Sequence, residues 1–193
     1  MKYYVVKYQG PFGFIKPWTA VRDEETLSQQ FLTPSIVEGM KIKLEVSDIL
    51  RHCISYINIA IQQEQTQPKG SIEKSSGKGK DKIMTVSRPR SILKRGVMVE
   101  PILYLAFPTI EDAEKARSQH ICLCRNEDVM LPEEDIFVLT PDEFDALSGF
   151  ELLFGQSDTS FLVGFSRFEE AKPMYGSLRI SGNPLDKNTR TLS

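Results

Sequence analysis

The sequence predicts an α+β fold, and three observations carry that expectation. Runs rich in β-branched and aromatic residues recur at Lys2–Tyr8, Arg51–Gln63 and Ser91–Phe107, and such runs favour strands. Two other segments, Pro34–Leu44 and Thr109–Arg117, carry helical spacing and helix start signals. Strands and helices in this mixed order suit a sheet with helices packed on it. The chain has 193 residues, enough for one large domain or for one domain with an appendage. Residues 1–125 are expected to form the main domain, with a basic hairpin or loop at 62–95. Residues 126–193 are expected to add an acidic region and a small C-terminal part on the same core.

The first strand, Lys2–Tyr8, is almost continuously apolar, which suits a central strand covered on both faces. Gly10, Pro11, Gly13 and Pro17 keep the next stretch irregular. Two of its three aromatics, Phe12, Phe14 and Trp18, are expected to seal one end of the core. The remainder offers a stacking surface for bases centred on Trp18, with Lys16 and Arg22 placed for phosphates. Arg22–Gln30 reads as a polar connector. In the first helix Pro34 takes a first-turn position, where its missing N–H costs nothing. Thr33 is the expected N-cap. Ile36, Val37, Met40 and Leu44 share one face. Gly39 inside the helix costs roughly 1 kcal/mol against alanine, and is therefore expected to mark a close approach to the backbone.

Ile54, Tyr56, Asn58 and Ala60 alternate with Ser55, Ile57, Ile59 and Ile61, which predicts one strand over Arg51–Gln63. Gln62–Ser87 is low in complexity and reads as the tip of a long hairpin. Its SSGKGKDK stretch fails the spacing of a phosphate-binding loop, and nucleotide hydrolysis is excluded. Ser91–Phe107 is strand-like with a kink at Glu100–Pro101. Thr109 and Asp112 open the second helix as a capping box, and Thr140 caps a short helix over Pro141–Leu147. Phe161–Phe168 is apolar around Gly164, which permits positive φ or a close backbone approach. Arg167 lies within reach of a ligand at that loop. Met174–Ile180 is expected to add a last strand.

Composition excludes several function classes. A hydrophobic share of 40% and a charged share of 26% are those of an ordinary globular protein. No apolar run reaches the roughly 18 residues of a membrane span, and the N-terminus lacks the apolar core of a signal peptide. Cys53, Cys122 and Cys124 form a sparse, odd set, which points to free thiols in a reducing, cytoplasmic setting. No spacing matches a metal site, and no cofactor is expected. His52 reads as a surface or satisfied core histidine. Between Asn126 and Ser166 there is no Lys or Arg, so the acids of 127–158 read as a solvated face.

The net charge of −2 hides a strong asymmetry. Lys69 to Arg95 holds nine basic and two acidic residues, a local charge of +7, which leaves −9 on the remainder. Such segregation suits a polyanion-binding element on an acidic body. Lys78, Lys80, Lys82, Arg88, Arg90, Lys94 and Arg95 are its candidate phosphate contacts.

Gly10, Pro11, Phe31, Pro34, Ser35, Gly39 and Leu44 stand in an order that resembles the Cas-five family of CRISPR-associated proteins, within the RAMP superfamily. Arg88–Phe107, the helix after it, and the FLVGFS turn at Phe161–Ser166 are similar to later segments of that family. The resemblance implies a ferredoxin-like (RRM-like) antiparallel sheet with helices on one face and a long basic β-hairpin. It also implies a subunit of a Cascade-type complex, bound to the 5′ handle of the CRISPR guide RNA. The implied protein partners are a Cas-seven-type backbone subunit and the large subunit. Some members of the family cut precursor RNA with Tyr, Lys and His. Here only His52 and His120 are available, neither in a recognisable site, so the chain is expected to be non-catalytic. The alternatives are a protein–protein adaptor using the acidic 127–158 face, and an RNA-processing endonuclease.

Overall fold

The computed structural model describes residues 2–19, 25–66, 72–76, 83–87, 91–186 and 188–189. Eight of its strands form the main sheet: β1 (Tyr3–Gln9), β4 (Arg51–Ser55), β9 (Ile102–Phe107), β10 (Ile121–Cys122), β11 (Val129–Leu139), β12 (Gly149–Phe154), β13 (Phe161–Phe165) and β14 (Pro173–Ser181). Their spatial order is β10-β11-β1-β9-β4-β12-β14-β13, and neighbouring strands run antiparallel. The expected boundary at residue 125 therefore falls inside one sheet, between β10 and β11. β1 lies in the interior between β9 and β11, and its Val5, Val6 and Tyr8 are fully buried.

Because side chains alternate along a strand, the apolar runs of β1 and β9 feed two cores. Val6, Tyr8, Leu103, Leu105 and Phe107 meet the helix α1 (Pro34–Leu44) through Val37, Met40 and Leu44. They meet the helix α2 (Ile110–Arg117) through Ala113 and Ala116. On the other side Tyr3, Val5, Tyr104 and Ala106 pack with Phe144 of α3 (Pro141–Asp145) and with Leu147. The expectation of helices on one face holds for α1 and α2 and is corrected by α3. A strand apolar on both faces needs cover on both.

The helix starts are of three kinds. Thr33 stands at the N-cap of α1 with Pro34 at N1, yet its side chain makes no capping bond. The Thr109 hydroxyl accepts the Asp112 N–H at 3.2 Å, whereas the Asp112 carboxylate accepts from Ser47, from its N–H at 3.0 Å and its hydroxyl at 2.5 Å. The capping box expected at Thr109 is thus one-sided, with the second half drawn into a tertiary tie. Thr140 and Glu143 form the full reciprocal box.

Gly39 overturns its expectation. A Cβ built there meets nothing within 4 Å, so no neighbour requires a glycine. Gly39→Ala is expected to raise stability by about 0.5–1 kcal/mol, the propensity difference in a helix interior. A fall in the urea midpoint of that variant would reveal a hidden packing role.

A second sheet is built around β8 (Ser91–Val99). β5 (Ile59–Thr66) runs antiparallel along it, from Ile59 opposite Met98 to Thr66 opposite Ser91. β2 (Phe12–Gly13) pairs antiparallel at Val99 and Met98, and β3 (Glu25–Leu27) parallel at Lys94 to Gly96. β6 (Ile72–Ser76) and β7 (Ile83–Ser87) form a separate antiparallel pair. β3 replaces the expected polar connector. The expected single strand over Arg51–Gln63 is two strands in different sheets, broken at Tyr56–Asn58. Opposite that break lies the kink between β8 and β9, where Glu100 takes φ of +46° before Pro101. The Ile57 N–H donates to the Val99 carbonyl at 3.0 Å, and the Val99 N–H to the Asn58 carbonyl at 2.9 Å. Both strands of the ribbon therefore leave the main sheet at one level.

Of the three loop aromatics only Phe14 is buried, and Phe12 and Trp18 are exposed. Two were expected inside. Phe14 is sealed by cations: the guanidiniums of Arg95 and Arg125 stand 5.3 and 5.6 Å from its ring centroid.

The solvated acidic face holds for Glu127, Glu134, Asp135, Asp142, Glu143 and Asp158, which are exposed, and is corrected for the other four acids. Asp128 is fully buried against Arg125 at 2.6 Å. Glu133 pairs with the buried Lys7 at 2.7 Å. Glu151 is held by Arg51, and Asp145 by Arg51 and Arg179, each at 2.8 Å. Arg125 stands just before the run, three residues from Asp128, whereas Lys7, Arg51 and Arg179 come from distant stretches of which the run itself gave no hint.

Candidate nucleic-acid interface

The groove with the most varied chemistry lies where the N-terminal loop, the start of α1 and the β13–β14 hairpin meet. Local sequence builds each wall. Gly10 lets the loop leave β1, since a Cβ there would collide with the Val129 carbonyl oxygen. Gly164 takes φ of +132° at a bulge in β13, and its α-carbon faces Trp18, whose Cβ would stand 3.3 Å from an added Cβ. Trp18 then packs edge-on against Phe165, 5.7 Å between centroids. The turn after β13 is held by Ser166, whose hydroxyl accepts the Phe168 and Glu169 N–H groups at 3.2 and 3.0 Å. That turn docks on α1, because the Arg167 N–H donates to the Ser35 hydroxyl at 3.1 Å, and that hydroxyl donates to Met174 Sδ at 3.3 Å.

Two cavities meet at Ser35 and Met174. One, of about 340 Å³, is lined by Lys16, Trp18, Ser35, Gly164, Phe165 and Arg167. The other, of about 700 Å³, is lined on its far side by Glu38, Phe154, Phe168, Glu169 and Tyr175. The first has the features of an anion site. α1 has no acid in its first turn and no side-chain cap, so the positive end of its dipole is uncompensated. Lys16 and Arg167 are exposed beside it.

Of the residues singled out in the sequence, the structure brings Lys16, Trp18, Pro34, Gly164 and Arg167 around this groove. Lys94 is exposed on β8, 3.8 Å from Glu25. Arg95 faces inward, bonded to Glu64 at 3.2 Å over Phe14. Arg22, Lys78, Lys80, Lys82, Arg88 and Arg90 lie outside the described residues. Sequence reasoning missed Phe154, Phe165 and Phe168, which are exposed and line the same groove. The signal for Phe165 and Phe168 was their spacing with Phe161 around Gly164, and Phe154 had none. It also missed Arg125, which binds Asp128 and Glu64 and pins the β5–β8 ribbon to the body.

His52 is a core residue. Its Nε2 accepts the Leu152 N–H at 3.3 Å, and its ring stacks on Phe154 at 5.4 Å. Burial, with the Arg51 charge nearby, lowers its pKa to about 3. Among the described residues no group of His, Cys, Asp and Glu is gathered to hold a metal, and no helix is long and apolar enough to cross a membrane.

The chain is thus an α+β protein of mostly antiparallel sheets with few helices, carrying an aromatic and basic groove at one helix start. No protein-family model matches the chain, and no curated protein does. Among solved structures, a chain of a "CRISPR RNA-guided surveillance complex" is similar to it, with a TM-score of 0.54 and 11% sequence identity. The match covers 94% of this chain and 91% of that one. At that identity the likeness is one of fold.

Proposed function

We propose that this protein is a non-catalytic RNA-binding subunit of a CRISPR effector complex. It binds the 5′ handle of the guide RNA and contacts a Cas-seven-type backbone subunit and the large subunit. The observation that carries this reading is the shared fold with a chain of such a complex over nearly the whole length of both. The finer fold assignment agrees with it. β11-β1-β9-β4 follows the strand order 4-1-3-2 of a β-α-β-β-α-β unit, with α1 after the first strand and α2 after the third, which supports the ferredoxin-like reading. The groove adds a chemical reason, since exposed aromatics beside cations suit single-stranded RNA. A neutral, buried His52 supports a binding role over a cutting one. The adaptor alternative keeps the exposed acids Glu127, Glu134, Asp135, Asp142, Glu143 and Asp158 but loses Asp128, Asp145 and Glu151, which are engaged internally.

Fluorescence anisotropy with a repeat-derived RNA tests this. Affinity is expected to fall with salt, with a log–log slope of about −0.7 per phosphate contacted. A Lys16→Ala, Arg167→Ala double variant is expected to weaken binding and flatten that slope by about 1 to 1.5. Affinity that does not change with salt would reject the RNA-binding reading.

A further inference from the structure

We propose that the cavity of about 700 Å³ is a base pocket, reading one unstacked RNA base that offers amino or imino hydrogens, guanine foremost, over uracil. This rests on the RNA-binding reading. The two cavities of the groove share Ser35 and Met174 but differ in sign. The start of α1 borders both, and around the smaller one stand Lys16 and Arg167. Around the larger one stand Glu38 and Glu169 with a single cation, Lys172; Glu38 pairs with Lys41 at 3.3 Å and Glu169 with Lys172 at 3.1 Å, each three residues along the chain. Exposed pairs of that kind are weak, so the carboxylates remain open to a better donor. Two carboxylates against the one lysine of this wall disfavour phosphate there. A strand whose phosphates sit at Lys16 and Arg167 would therefore present base edges, rather than backbone, to the acidic end.

The rings of that cavity suit a base. Phe154 is 46% and Phe168 51% exposed. One face of Phe154 is taken by His52, with 29° between the ring planes, which leaves the opposite face for a third ring to continue the stack. At the edge of such a base the carboxylates impose a choice, because an ionised carboxylate only accepts hydrogen bonds. Guanine presents two adjacent donors, N1–H and the N2 amino group. Adenine and cytosine present one amino group each. Uracil presents a single N3–H between two carbonyl oxygens, which face a carboxylate unfavourably.

Anisotropy at low salt with two probes tests the assignment: oligouridine of ten nucleotides, and the same strand with one central guanine. The guanine strand is expected to bind about ten-fold tighter, the scale of one bidentate base-edge pair. A Glu38→Gln, Glu169→Gln variant is expected to bind the two strands alike, and Phe154→Ala to weaken the guanine strand more than oligouridine. Equal affinities for both strands in the unmodified protein would overturn the base pocket and leave RNA binding standing. A guanine preference that survives in the Glu38→Gln, Glu169→Gln variant would place base reading elsewhere. Failure of both strands, and of repeat RNA, to bind would reject the RNA-binding reading itself.

Discussion

Replacing Arg51 by methionine is expected to destabilise the protein by about 3 kcal/mol, the lower end of the range for breaking a buried ion pair. The guanidinium bonds Glu151 through Nε at 2.5 Å and Nη2 at 2.6 Å, and Asp145 through Nη2 at 2.8 Å. It also lies 4.8 Å over the Phe144 ring. The Glu151 side chain is only 8% exposed, so removing Arg51 leaves a buried carboxylate without its bidentate partner. Asp145 keeps Arg179 and suffers less. The cost is therefore that of the stranded charge rather than of the lost attraction. Arg51→Met combined with Glu151→Leu is expected to recover most of the loss, since an apolar pair of similar volume often substitutes without penalty. Urea denaturation of the four species of this cycle measures the coupling. A single Arg51→Met variant within about 0.5 kcal/mol of the unmodified protein would place the network among ordinary surface pairs.

Stability is expected to fall as pH drops from 6.5 toward 4.5, and His52 is the cause. Folded, the ring takes a proton only near pH 3, against an ordinary value of 6.5. Between those values the unfolded chain binds a proton that the folded chain refuses, so acid favours unfolding. The limiting slope is about 1.4 kcal/mol per pH unit. The carboxylates with lowered pKa, Glu64, Asp112, Glu143 and Asp145, act in the same direction, but within about one pH unit of their ordinary values of 4.5 and 3.8 and below. Above about pH 5.5 the histidine therefore dominates. His52→Gln keeps an acceptor for the Leu152 N–H and is expected to flatten the profile between pH 5 and 6.5. Denaturation midpoints at pH 5, 6 and 7.5 decide it, and a slope unchanged in the variant would move the titration to another group.

What could be seen in the sequence was what local chemistry decides. β1, the three helices and the break at Glu100–Pro101 rest on apolar runs, capping residues and one proline, each within a few positions of its effect. The break at Tyr56–Asn58 had no such mark, because Ile54–Ile61 keeps its alternation while the chain changes sheets. β3 is a strand only because β8 lies beside it, and a parallel partner far along the chain leaves no local pattern. Gly39 misled because a glycine in a helix suggested a neighbour that is absent. In the site, Trp18, Gly164 and Arg167 were visible as types and the groove was not, since it requires three distant segments to meet at Ser35. Phe154 could be read as one more strand hydrophobe. Only its stacking on His52 sets it apart.

The double break at Tyr56–Asn58 and Glu100–Pro101 has a consequence for how this chain can vary. β5 and β8 leave the main sheet together, and among the described residues the outermost tie to the body along that ribbon is Glu64 with Arg125. Matched insertions of two residues after Glu64 and before Leu93 keep every side chain on its own face, because the strand repeat is two. They leave the Arg125 anchor and the main sheet where they are. The reach of the arm can thus be lengthened or shortened in steps of about 7 Å without redesigning the body that carries it.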